Sequence, residues 1–115
     1  MKPFRTDRLN QYRNMWVVVL FDLPTETKKQ RKDAHDFRLG MIKDGFLMFQ
    51  YSIYMRFCPS KEHAQTHRNR VKKMVPKDGF VCILLITDRQ YSLMELFRGA
   101  VLTGAEPAPQ QLELF

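Results

Sequence analysis

Six apolar residues in a row, Trp16, Val17, Val18, Val19, Leu20 and Phe21, run directly into Asp22, Leu23 and Pro24. Such a β-branched and aromatic run has no helical periodicity and reads as a strand buried on both faces. Pro24 ends it, so the Asp22 carboxylate must sit where a buried strand reaches the surface. A carboxylate so placed suits a divalent cation or a subunit interface. The competing role is structural: Asp22 caps the following helix or bonds Ser52.

The chain has 115 residues, enough for one domain, with an interface between copies a further route to burial. Nineteen Lys and Arg against twelve Asp and Glu give a formal charge of +7. That balance favours a polyanionic partner, nucleic acid before others, over an acidic small molecule. Cys58 and Cys82 stand far apart in apolar runs without the spacing of a zinc clip, and both read as buried thiols. The first residues lack the apolar centre of a signal peptide, and no apolar run reaches the ~20 residues of a membrane helix. The expected location is the cytoplasm, with no membrane partner.

Residues 1–14 carry Lys2, Arg5, Arg8 and Arg13 and read as a basic arm. Thr27 and Gln30 form a capping-box signature for a helix that Gly45 can end. Ala34, Phe37 and Met41 share its inner face; Lys28, Lys29 and Lys32 project outward, with Arg31 and Arg38 on the flank. Residues 46–58 are rich in aromatic and apolar side chains and exceed the ~5–6 residues of a usual strand, which predicts two strands broken at Gln50, Tyr51 and Ser52. Ser60 caps a second helix to about Val75, with Ala64, His67, Val71 and Met74 inward, and Pro76 stops it. Phe80–Thr87 is apolar on both faces and reads as a central strand, and a shorter strand is expected from about Tyr91 to Phe97.

The order predicts an α+β fold: a ferredoxin-like βαββαβ sandwich over residues 15–99, with two helices on one face of an antiparallel sheet and an extra C-terminal strand. The helix-free face then needs a cover, and a second copy supplies it, with Trp16, Gln50 and Ser52 at the expected homodimer interface. Residues 100–115 read as a linker through Gly104 and Pro107 that ends in an apolar docking tail, Leu112, Leu114 and Phe115.

Chemical motifs are sparse. His63 and His67 are spaced i and i+4 without the intervening Glu of a metalloprotease; His67 is expected to pack and His63 to face solvent. Asp88 reads as part of a turn. Arg5, Arg8, Arg13, Lys28, Lys29, Arg31 and Lys32 are the expected phosphate contacts. A sheet that read RNA would instead present aromatics such as Trp16, Phe46 and Tyr54, together with Met48, on its open face.

The strand ending in Phe21 and Asp22, the basic helix, Gly45 before Gln50, Tyr51 and Ser52, and Thr87-Asp88-Arg89-Gln90-Tyr91 followed by Gly99 resemble the small CRISPR adaptation protein family, the second of the universal CRISPR-associated proteins, long labelled endoribonucleases. The ending is similar to short forms from systems with a single-protein effector. The resemblance implies a ferredoxin-like homodimer that bridges dimers of the CRISPR integrase and holds double-stranded DNA during spacer acquisition. It also implies, for some members, Mg²⁺-dependent cleavage of RNA or DNA, with the aspartate matching Asp22 from each subunit binding the metal across the dimer axis. Phe21 stands where many relatives carry tyrosine. A toxin-like ribonuclease of related fold is a third reading.

Overall fold

The computed structural model describes residues 13–102. The arm with Arg5 and Arg8 and the tail with Leu112, Leu114 and Phe115 lie outside the described residues. The elements are β1 (Met15–Asp22), α1 (Lys28–Lys43), β2 (Leu47–Gln50), β3 (Ile53–Cys58), α2 (Lys61–Met74), β4 (Phe80–Thr87), the short α3 (Asp88–Ser92), and the two-residue strands β5 (Phe97–Arg98) and β6 (Val101–Leu102). The main sheet is antiparallel in the order β2-β3-β1-β4, as expected for a ferredoxin-like fold.

β1 is the central strand because neither of its faces can be wet. Its odd residues, Met15, Val17, Val19 and Phe21, join Phe37 and Met41 of α1 and Ala64 and Val71 of α2 in the main core. Its even residues, Trp16 and Val18, belong to a second cluster on the opposite face with Phe49, Met55 and Tyr91. The side-chain alternation of a strand thus serves two cores at once.

The helices start where their caps stand. Thr27 accepts from the Gln30 amide and Gln30 returns a bond to the Thr27 amide, so two otherwise orphaned donors are satisfied. Ser60 accepts from the His63 amide in the same way for α2. Gly45, at φ 92°, follows the C-cap Asp44 in a conformation that glycine adopts without a Cβ clash.

Several expectations change. Among the described strands β4 is an edge strand, not a central one: Val81, Ile83 and Leu85 pack on the core, while on its other face Phe80 is exposed and Leu84 half-exposed. Cys82 accordingly is exposed, whereas Cys58 is buried. Residues 88–92 form a helix where a turn and the start of a strand from about Tyr91 are expected, and among the described residues the short strands β5 and β6 pair with each other. The reason is a second capping box, in which Thr87 and Gln90 repeat the bonds of Thr27 and Gln30.

A polar clasp joins the helices. The Asp44 carboxylate bonds His67 Nδ1 at 2.7 Å and Arg70 at 2.9 Å, and Arg56 donates to the Asp44 carbonyl at 2.9 Å. His67 is buried, as expected; His63 is half-buried rather than solvent-facing, its ring 4.6 Å from that of His67. Burial opposes the charged form of Asp44, but the bonds from His67 and Arg70 outweigh it and leave the carboxyl pKa lowered. The stabilisation is therefore present above the unfolded carboxyl range and is lost as pH falls through the lower folded value. Asp44→Ala should cost about 2–3 kcal/mol in urea denaturation near neutrality, and Asp44→Asn should remove that part of the acid sensitivity.

Candidate functional site

The face of the sheet opposite the helices divides into two parts. At the Met15 end, α3 and the residues after it fold back over the sheet. Tyr91 stacks on Trp16 with ring centroids 4.2 Å apart and planes 14° from parallel, Trp16 Nε1 donates to Asp88 at 2.8 Å, and Met94 and Leu96 complete the cover. Trp16 is consequently only 6% exposed. The structure thus seals Trp16 within its own chain and leaves Gln50 and Ser52 exposed in the β2–β3 turn. Asp88 acts as the first helical residue and an indole acceptor rather than as a turn residue.

At the Asp22 end the described residues leave the sheet bare. An open cavity of about 330 Å³ is lined by Leu20, Phe21, Asp22, Phe80, Val81 and Cys82. Phe80 is 81% exposed and Leu84 49%, with Cys82 exposed between them. Cross-strand pairing of Asp22 with Phe80 and of Leu20 with Cys82 fixes this grouping. A patch of adjoining apolar side chains that surrounds one carboxylate is unlike an ordinary solvated surface.

Asp22 lies at the exposed end of β1, as the sequence requires. It does not cap α1, since Thr27 does, and the Ser52 contact is made by the backbone of Phe21, whose amide donates to the Ser52 carbonyl at 3.0 Å. Among the described residues no hydrogen bond or ion pair engages the Asp22 carboxylate, and no group of three His, Cys, Asp or Glu could hold a metal ion. Mg²⁺ is usually bound by one or two carboxylates with water completing the shell. One chain offers a single carboxylate on an apolar rim, so a protein-built Mg²⁺ site here fits only if a second copy brings its own Asp22.

The basic residues are less uniform than the sequence suggests. Lys29 pairs with Asp33 at 3.4 Å and Lys32 with Asp36 at 2.7 Å, both one turn along α1, and Arg31 donates to the Thr25 and Glu26 carbonyls. The Asp36 hydrogen bond raises the Lys32 pKa. Exposed pairs of this kind are weak, and the lysines can exchange them for phosphates at little cost. Arg13 and Lys28 are exposed. The aromatics suggested for an RNA-reading sheet are internal: Phe46 and Tyr54 lie in the helix-side core with Met48 packed against it, and Trp16 is covered by Tyr91. The α3 cover escaped the sequence reading although Thr87 and Gln90 carry the same three-residue capping spacing as Thr27 and Gln30.

Tyr91→Ala should strip the cover from Trp16, lower stability by about 3 kcal/mol, and move the emission of this one tryptophan toward that of a hydrated indole, which fluorescence and urea denaturation read together. An unchanged emission would place the cover elsewhere.

The model for "CRISPR associated protein Cas2" matches residues 15–94, the span from the start of β1 to the residues that cover Trp16. A protein of Flavobacterium psychrophilum named CRISPR-associated endoribonuclease Cas2 is 51% identical over 108 residues, covering 94% of either chain. Proteins of the same name from Parvibaculum lavamentivorans and Paracidovorax avenae are 44% and 43% identical, covering 88% and 93% of this chain and 100% and 99% of their own length. With the sheet order, the capped helices and the exposed strand-end aspartate in place, the chain belongs to the Cas2 family of CRISPR adaptation proteins.

Proposed function

We propose that this chain works as a homodimeric adaptor in CRISPR spacer acquisition, holding double-stranded DNA and bridging dimers of the CRISPR integrase. The observation that carries the reading is the bare apolar end of the sheet: Leu20, Phe80, Cys82 and Leu84 form a surface suited to an identical surface on a second copy. Covering Phe80 and Leu84, 81% and 49% exposed, on both copies removes apolar surface from water, worth up to about 1.5–3 kcal/mol for a side chain that goes from fully exposed to buried, and this gain opposes the cost of association. Such a contact leaves the cationic outer sides of α1 and α2 outward. Binding to phosphates through those sides depends on charge and not on base identity.

The relatives' shared name supports a second reading, an endonuclease that uses Mg²⁺ held by paired Asp22 carboxylates. A bound Mg²⁺ would polarise the phosphodiester and activate water. This chain's own part would be the exposed Asp22 carboxylate, brought to a shared axis by the same dimer contact. The reading requires no catalytic base from the described residues, and cleavage should stop with a chelator and with Asp22→Asn.

The adaptor reading predicts that Asp22→Ala still dimerises, binds duplex DNA and supports spacer integration with the integrase. Loss of integration with dimer and DNA binding intact would contradict it. Duplex affinity measured by fluorescence anisotropy should fall steeply as salt rises. Phe80→Asp should yield monomers and expose Cys82 to rapid thiol labelling, while Cys58, buried and with its pKa raised by that burial, stays unreactive in either state. Equal Cys82 labelling in wild type and variant would contradict the dimer contact.

A further inference from the structure

The turn between β2 and β3 holds a largely exposed aromatic ring. Tyr51 is 69% exposed, in a turn next to a break in the β2–β3 register. Its backbone is nonetheless fixed, because the neighbouring Ser52 carbonyl accepts from the Phe21 amide at 3.0 Å. Arg38 of α1 lies against the ring, its guanidinium carbon 4.2 Å from the Tyr51 centroid and 5.3 Å from that of Phe21. Two aromatic neighbours thus hold one cation, and no described carboxylate pairs with it.

This arrangement carries a cost. Arg38 Nε is buried without a hydrogen-bond partner, which disfavours the position unless the rest of the side chain gains. Stacking of the guanidinium on Tyr51 and Phe21 supplies part of that gain. Among the described residues no carboxylate neutralises the guanidinium. On the Tyr51 ring, Arg38 occupies one side, and the high exposure of the residue leaves ring surface accessible to a second planar group.

We propose that Tyr51 and Arg38 form a binding site for one unpaired nucleotide, its base stacked on Tyr51 and its phosphate drawn by Arg38. Aromatic rings backed by cations bind single-stranded nucleic acid in this manner, since every base has a π-face and every nucleotide a negative charge. Inside a duplex both faces of every base are already stacked and only the terminal pairs present one, end-on, so the site favours an unpaired base that can lie across the Tyr51 ring. The inference rests on the nucleic-acid reading above and adds to it the recognition of an unpaired end. It places that end beside Asp22, because the turn is bonded to the last residues of β1.

The test uses the full chain and fluorescence anisotropy with a blunt duplex, the same duplex with a short unpaired DNA or RNA extension, and an extension of abasic sugar-phosphate. The base-bearing extension should tighten binding about tenfold. The abasic extension should give less than half of that gain on a logarithmic scale. Tyr51→Ala should lose the gain and leave blunt-duplex affinity unchanged, Tyr51→Phe should retain it, and Arg38→Ala should lose it. A gain with the DNA or the RNA extension supports the site and identifies its sugar. Equal binding of blunt and extended duplexes by wild type overturns the site while the adaptor reading stands. Binding of unpaired strands without duplex binding would sustain the site and overturn the adaptor reading. If Tyr51→Ala instead weakens dimerisation in sedimentation, the ring belongs to the subunit contact and the proposal fails.

Discussion

Burial of β1 on both faces is the constraint from which the rest follows. A strand hydrogen-bonded on each side to β3 and β4, with Val17 and Val19 packed against helices and Trp16 and Val18 against the opposite cover, cannot shift register by one residue without exchanging two unlike surroundings. That register fixes Asp22 opposite Phe80 and Leu20 opposite Cys82. The carboxylate and its apolar rim are therefore products of the strand that organises both cores. The Asp22 end of the sheet is positioned by packing rather than by a flexible loop.

The two faces of the sheet meet their burial requirement differently. The helix face is closed by α1 and α2, whose polar clasp of Asp44, His67 and Arg70 sets how the helices lie. Among the described residues the open face is closed at Trp16, through Tyr91, Met94 and Leu96. The remainder, around Leu84 and Phe80, retains apolar area that a partner can cover. In the proposed assembly the same contact that removes this area from water also brings the two Asp22 carboxylates together. Stability and any metal chemistry would then depend on one interface.

Local signals with a definite mechanism were readable in the sequence, while signals that depend on neighbours were not. The Thr27–Gln30 and Ser60 caps, the Gly45 stop and the break at Gln50–Ser52 all stand where the residues place them, because each is decided within a few positions. The placement of β4 was not readable: an apolar run looks the same whether another strand, a helix or a second copy covers it. Tyr91 likewise alternates as a strand residue would, and only the Thr87–Gln90 box reveals the helix. At the site, the exposure of Asp22 was legible from Pro24 and the oily run before it. The pairing of Lys29 and Lys32 with Asp33 and Asp36 follows i, i+4 spacing, but the stacking of Arg38 on Tyr51 joins residues that only the fold brings together.

The central claim is that a second copy covers the bare end of the sheet. Sedimentation velocity of the wild-type chain over a dilution series tests it most directly. The account predicts a species of twice the chain mass that persists into dilute solution and dissociates only when the Leu20–Phe80–Leu84 surface is disrupted. A wild-type chain that sediments as a monomer throughout would contradict it.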